Sequence, residues 1–354
     1  MPVILSHAII VLVALIVSAR MSFLAFRLLT GLVLAACVLS CSGQASVQPR
    51  QIRVEISFGA VDVEVHRAME IFLVRAVAAS RQNISLSFTH AYASTPKQLA
   101  DIHASILKKP DILIIMPEDS KAVLPLIGEA HAAGIKVIVY NRQTDPDPIL
   151  RPEVYIGLDT VDQAYTTGIA LIKRMKEEGV PARIINVIGS PGDRNALNRT
   201  EGLRRAVAEL KASIVAEVPT EWKPEWAESG LDAALASHPE ATAIFCASDW
   251  LMSGVEKSLR KAGRWAPHGK PGHFYLGSQD VYPNGESLIR SNYIDVDTAF
   301  DIWPMTTMLM QSILAIGNGK TMSQDEFLVP GRVVTASNIG TMNDLWSETF
   351  NRSQ

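Results

Sequence analysis

From Ile52 to Ser278 the sequence alternates short apolar runs with segments of helical period, and this alternation constrains the fold more than any other feature. "IRVEIS" reads as a strand and "VEVHRAMEIFLVRAVAAS" as a helix. "ISLSFTHA" alternates apolar and polar residues, as a strand does. "STPKQLADIHASILKK" opens a helix with Thr95, Pro96 and Gln98 at capping-box spacing. "DILIIM" is a run expected of a strand covered on both faces. "SKAVLPLIGEAHAAG" is a helix stopped by Gly134, and "IKVIVY" is again a buried strand.

A second series starts at "VYIGLD" and repeats the plan through "RIINVIG", "SIVAEVP", "ATAIFCA" and "HFYLGS", each joined to the next by a helix. Strands separated by helices predict parallel sheets with helices on both faces. Roughly nine such units are more than one sheet carries comfortably. The expected fold class is α/β: two doubly wound parallel-sheet lobes meeting near "YIGLDT". Ligands of such sheets sit outside the carboxyl ends of the strands. Asn141 and Arg142 follow the strand "IKVIVY" at that position, so they are candidate ligand contacts.

Residues 1–45 read differently. Two apolar stretches with Arg20 and Arg27 between them lead into polar "SGQASVQPRQ", the layout of a signal peptide or lipoprotein leader. Translation from Met1 or from Met21 would supply it, and a retained membrane anchor is the other reading. "LAAC", Leu34 to Cys37, has the form of a lipobox with Cys37 as the lipidation candidate; plain cleavage near Ala45 is the alternative. The chain is 48% hydrophobic and 19% charged with net charge −3, so no basic excess points to nucleic acid. Of the three cysteines only Cys246 follows the leader, which excludes a disulfide framework. The eight histidines show no metal-ligand spacing. "GSPGD" lacks the Gly-Lys-Ser/Thr ending of a phosphate loop, and neither a nucleophile elbow nor a zincin helix occurs.

Four stretches carry a resemblance. "DILIIMPEDSKAVLPLIGEAHAAGIKVIVYNRQ", "YIGLDTVDQAYTTGIAL", "VIGSPGDRNALNRTEGLRRAV" and "ATAIFCASDWLMSGVEKSLRKAG" occur in the order and spacing of the ribose-type, sugar-binding periplasmic proteins of bacterial ABC importers. The resemblance covers about residues 50 to 340. It implies the type I periplasmic binding protein fold, whose lobes, joined by three crossover strands, close on a ligand. The crossings would fall near Gly157–Thr160, Gly277–Val281 and Val329–Thr335. The lobes would comprise residues 50–158 with about 302–329, and 159–301 with about 330–354.

By the same resemblance, Arg142 and Asn141 take the place of the first-lobe ligand arginine and its neighbour. Arg199 takes that of the second-lobe arginine, and Trp222 that of the aromatic wall. Ser248 stands where the family has Asn, with Asp249 retained after it. Gln279 and Asp280 follow the altered Gly-Phe-Asp position, and Asp301 replaces a Gln. Phe58 and Asp62 are the candidates in the first loop. A sugar asks for forked donors, acceptors and aromatic walls, which these residue types supply.

The implied function is capture of a small sugar or polyol and its delivery to an ABC transporter permease. A sugar receptor of the same fold signalling to a sensor kinase or chemoreceptor is the alternative. The expected protein is exported to the periplasm or outer envelope face and is monomeric. It has no catalytic constellation, cofactor, metal or nucleic-acid partner.

Overall fold

The computed structural model describes residues 50–60 and 64–351, and for 349–351 the backbone alone. Asp62 and the whole leader, including Cys37, lie outside the described residues.

Strands β1 (Ile52–Phe58), β2 (Ile84–His90), β3 (Ile112–Met116), β4 (Lys136–Tyr140) and β5 (Val154–Leu158) form a parallel sheet in the order β2-β1-β3-β4-β5, and β11 (Glu326–Val329) pairs parallel outside β5. Every residue of β3 is buried, because the pleat sends alternate side chains into two different cores. Ile112, Ile114 and Met116 pack with α1 (Glu64–Ser80) and α9 (Ile302–Gly317) through Met69, Phe72, Met305 and Leu309. Leu113 and Ile115 pack on the other face with Ile102 and Ile106 of α2 (Thr95–Leu107) and Ile127 of α3 (Leu124–Ala132).

Gln98 does not close a capping box. Ser94 is the N-cap of α2, accepting from Lys97 N, and Gln98 is fully buried one position too far along. Its amide instead donates to Met116 O (2.8 Å) and accepts from Glu118 N (2.8 Å), tying α2 to the end of β3.

The second sheet runs β7 (Ser213–Pro219), β6 (Arg183–Ile188), β8 (Ala243–Cys246), β9 (Tyr275–Gly277), again parallel. Its order repeats that of the first sheet, with Val296 bridging to Gly277 beyond β9. On one face Ala164 and Leu171 of α4 (Thr160–Glu177) and Leu203 of α5 (Arg194–Leu210) cover Ile184 and Phe245. On the other, Leu231 of α6 (Pro224–Ser237) and Val255 and Leu259 of α7 (Met252–Lys261) cover Ile185, Val187 and Ile244. Cys246 sits fully buried in this core as a small apolar residue, and burial pushes its thiol up to about 12.

Among the described residues the chain passes between the sheets three times. The first passage follows β5, where Asp159 accepts from Asp162 N (2.9 Å) and starts α4. The second lies at Ala299–Ile302, not at Gly277–Val281. Val281 and Ile289 of α8 (Pro283–Arg290) still belong to the second core, whereas Phe300 and Ile302 belong to the first. Gly277–Val281 instead runs alongside that passage, with Asp280 bridging to Ala299. The third passage leads from β11 to β12 (Val333–Val334), which pairs antiparallel with β10 (Asp297–Thr298). The tail does not stay with the second lobe alone: Leu345 packs in the second core and Trp346, which opens α10 (Trp346–Asn351), in the first.

Candidate ligand-binding site

Each sheet reverses strand order at its centre, between β1 and β3 and between β6 and β8. The carboxyl ends of these strands are where a ligand crevice belongs. Residues from both lobes line a void of about 450 Å³ there, including its mouth.

From the first lobe, β4 ends at Tyr140 and Asn141 takes a left-handed backbone, φ 63°, which Asn tolerates better than most residues. The turn is held on both sides. Asn141 N donates to Ile156 O (2.8 Å), and Asn141 O accepts from Tyr155 OH (2.8 Å) and Asn195 Nδ2 (3.2 Å). Arg142 is thereby aimed into the crevice and buried to 6% exposure. Its Nη1 donates to Glu118 Oε2 (2.7 Å) on its own lobe, and its Nε lies 3.0 Å from Asp193 Oδ2 on the other. Burial opposes its charge, yet Asp193 and Glu118 hold its pKa above the ordinary value. His66 of α1 sits 3.3 Å from the Asn141 amide; burial first, and then Arg142, pushes its pKa down to about 3, so it is neutral at working pH.

From the second lobe, the "GSPGD" loop supplies Asp193 rather than a phosphate cradle. Its Oδ1 caps α5 by accepting from Asn195 N (2.9 Å), and its Oδ2 takes the Trp222 Nε1 hydrogen bond (3.1 Å) as well as Arg142. Trp222, itself left-handed at φ 57°, lies flat against Gly189; a Cβ there would come 2.2 Å from the indole. Arg199 is bidentate to Asp280 (2.5 and 3.1 Å), and it also donates to Gln163 Oε1 (3.0 Å) and Ala247 O (2.6 Å). Trp250, Tyr282 and Phe300 complete an aromatic wall.

The lobes also touch directly. Ser120 N donates to Gly192 O (3.0 Å) and Arg194 N to Ser120 Oγ (2.9 Å), so the structure is a closed form. Asn141 Oδ1, Asn195 Oδ1 and Arg199 Nε, all on residues lining the void, are buried with no hydrogen-bond partner among the described residues. Such groups are costly when left unpaired, and a hydroxyl-bearing ligand satisfies both kinds.

Residues 64–321 match the family model described as "Periplasmic binding protein domain". The chain belongs to the periplasmic binding protein family. Among curated relatives, it is 27% identical over 245 residues (67% of this chain, 76% of the relative) to the D-ribose/D-allose-binding protein of Pseudomonas aeruginosa. It is 29% identical over 194 residues (55% and 61%) to the ribose import binding protein RbsB of Salmonella typhimurium. A solved ABC transporter periplasmic solute binding protein from Actinobacillus succinogenes, with bound D-allose, superposes with TM-score 0.71 at 22% identity, covering 82% of this chain and 99% of that one. That likeness establishes the fold, the type I arrangement of two parallel-sheet lobes.

Of the residues anticipated from sequence, Asn141, Arg142, Arg199, Trp222, Ser248 and Asp280 line the binding protein's cleft. Four others do not. Phe58 is 1% exposed in the first core, stacked near Phe88 and His90, because it shares the inward face of β1 with Val54 and Ile56. Asp249 stands behind the wall: its Oδ2 accepts from Tyr282 N (2.8 Å) and fills the space where a Cβ on Gly285 would be. Gln279 is fully buried and donates to Thr167 Oγ1 (2.8 Å). Asp301 is ion-paired with Arg332 (2.5 Å) beside the interlobe passages. Asp249 and Asp297 have pKa values well above the carboxylate range, from burial first and then from neighbouring carboxylates.

The cleft also holds His66, Asp193, Asn195, Tyr282 and Phe300, which the site assignment from sequence left out. Asn195 was within reach of a simple rule, since it lies four residues before Arg199 on the same face of α5.

Proposed function

We propose that this periplasmic binding protein captures a small neutral sugar or polyol between its lobes and delivers it unchanged to the permease of an ABC importer. The observation that carries the reading is charge balance inside the cleft. Arg142 is paired with Asp193 and Glu118, and Arg199 with Asp280. With both cations engaged by protein carboxylates and His66 neutral, a phosphate or uronate would enter without a counter-charge, at a steep desolvation cost. Neutral hydroxyls need only the unpaired amide oxygens, the Arg199 Nε–H and the aromatic faces. The names of the relatives, ribose/allose binding and ribose import, are in keeping with such a ligand.

In this reading the lobes 50–158 with 302–329, and 159–301 with 330–354, open and close about the three passages, and ligand contacts favour the closed form. The protein is an exported monomer, trimmed within residues 1–45 or acylated on Cys37, and it performs no chemistry on its ligand. A thermal-shift screen of pentoses, hexoses, inositols, sugar acids and sugar phosphates tests the ligand class. A true ligand adds about 2.7 kcal/mol of stability at a hundredfold excess over Kd. The ligand should be recovered chemically unchanged after prolonged incubation, and steady conversion would overturn the non-enzymatic part. Intact mass of protein from the native envelope distinguishes trimming from acylation.

A further inference from the structure

At the amino-terminal ends of β8 and β9, on the side of the second sheet away from the cleft, three side chains converge. They come from separate segments: His268 and His273 from the loop before β9, and Asp295 from the turn before β10. Their ligand-type atoms all lie within 4.8 Å of one another. His268 Nδ1 is 3.0 Å from Asp295 Oδ1, and His273 Nε2 is 3.3 Å from the same oxygen. Ligand atoms around a tetrahedral centre with bonds of about 2.0–2.2 Å sit about 3.3–3.5 Å apart, so the two sides that meet at Asp295 Oδ1 are nearly the right length for one.

The outer atoms are already committed. His273 Nδ1 lies 2.9 Å from Ala266 O, which acts as an acceptor, and His268 Nε2 lies 3.4 Å from Glu178 Oε1. If these outer nitrogens carry the protons, both inner nitrogens present lone pairs to a carboxylate. Asp295 Oδ2 accepts from Leu276 N (2.9 Å) and also lies 3.1 Å from His273 Nε2, so the carboxylate is fixed with both oxygens near His273 and Oδ1 near His268. His268 Nδ1 is buried and, despite its proximity to Oδ1, is not aligned to hydrogen-bond with it. The two rings stand at 81°, approaching the oxygen from different directions. In that tautomeric state three lone-pair atoms face one another, an arrangement that a shared cation would relieve, and Arg174 Nε, 3.6 Å from Oδ1, only partly meets that need.

We propose that His268, His273 and Asp295 bind a divalent transition metal of the zinc class at a site separate from the ligand cleft. Two imidazoles and one carboxylate suit zinc far better than calcium or magnesium, which favour oxygen ligands. The hollow beside the cluster, about 630 Å³ including its mouth, admits water as a fourth ligand. Glu178 and the Ala266 carbonyl are the outer partners that orient ligating histidines in metal sites. Glu178 is itself held by Tyr275 OH (2.6 Å). The loop before β9 and the turn before β10 would be tied together by the ion, with no change in the cleft. The spacing His268-x₄-His273 is not one that a helix or a zinc knuckle uses, so the pairing appears only once Asp295 is brought in by the fold.

The test uses untagged protein stripped with EDTA and titrated with Zn²⁺ by calorimetry, with Co²⁺ as a spectroscopic probe. The expected result is one Zn²⁺ per chain and intense ligand-field bands from low-coordinate Co²⁺. His268→Gln and His273→Gln should each weaken binding by more than tenfold, and Glu178→Gln by about 10–100-fold. His103→Gln, a surface control, should leave it unchanged. Thermal unfolding in EDTA and affinity for the cleft ligand establish that each variant is folded. Should the less exposed His273→Gln fail that check, the more exposed His268→Gln and the Co²⁺ spectrum decide. Failure of the wild type to bind Zn²⁺, as for a His–Asp pair that merely shares a proton, overturns the proposal. So does equal binding by wild type and His268→Gln.

Discussion

Asp193→Asn is the substitution that best separates closure from folding. Asp193 belongs to the second lobe and Arg142 to the first, and their 3.0 Å contact exists only when the lobes meet. The two side chains are 2% and 8% exposed, so water does little to screen the pair. The replacement is isosteric. Its carbonyl oxygen still caps α5 at Asn195 N, whereas its amide hydrogens face Arg142 Nε and Trp222 Nε1, both donors. A hydrogen bond between charged groups contributes about 1.5–3 kcal/mol, and here the loss falls on the closed form alone. Ligand affinity should therefore drop roughly 10- to 150-fold, with little change in ligand-free stability. Glu118→Gln is the contrast: Glu118 holds Arg142 from the same lobe, so its loss acts on the open and closed forms alike and shifts affinity less. Calorimetric titration with the screened ligand, alongside thermal unfolding without it, reads both quantities. Affinity of Asp193→Asn within twofold of wild type would refute the idea that this pair rewards closure.

Gly189→Ala should weaken ligand binding without removing any polar contact, because the new methyl displaces the Trp222 ring; titration against wild type reads the loss, about 2- to 13-fold if the aromatic contribution of about 0.5–1.5 kcal/mol goes. His66 gives a pH signature. Its folded pKa is depressed to about 3, so its contribution to stability is present above its ordinary value and is lost as pH falls from about 6.5 toward about 3. His66→Gln should therefore lose less stability than wild type on acidification through that window, and parallel losses in denaturant melts at several pH values would contradict the assignment.

The architecture was legible because a buried parallel strand leaves an unambiguous trace: five or six apolar residues, then a helix. Arg142 was legible for a topological reason, as the residue after a strand's carboxyl end. Phe58 is the last residue of β1, and was misplaced in the loop after it although period-two alternation along Val54, Ile56 and Phe58 puts it on the core face; the pattern was there to be read. Asp301 and Gln279 rested on correspondence across shifted segments. What decides their roles is a partner distant in sequence, Arg332 for one and Thr167 for the other, and no local pattern reveals it. The same holds for Asp193, which reads locally as a helix cap and becomes part of the site only when the other lobe brings Arg142 to it. The second interlobe passage was displaced toward Gly277–Val281 because that segment runs beside the true passage at Ala299–Ile302.

The central claim is that the cleft takes a neutral, hydroxyl-rich ligand because its cations are already engaged. The most direct measurement is a paired calorimetric titration at near-neutral pH of the best neutral sugar from the screen against its own phosphate ester and its own uronic or aldonic acid. The account predicts saturable one-to-one binding of the neutral sugar and affinity at least about 100-fold weaker for both anions, a penalty of about 2.7 kcal/mol or more. Tighter binding of either anion than of the neutral sugar would contradict it, since one of the arginines would then have to leave its carboxylate for the ligand.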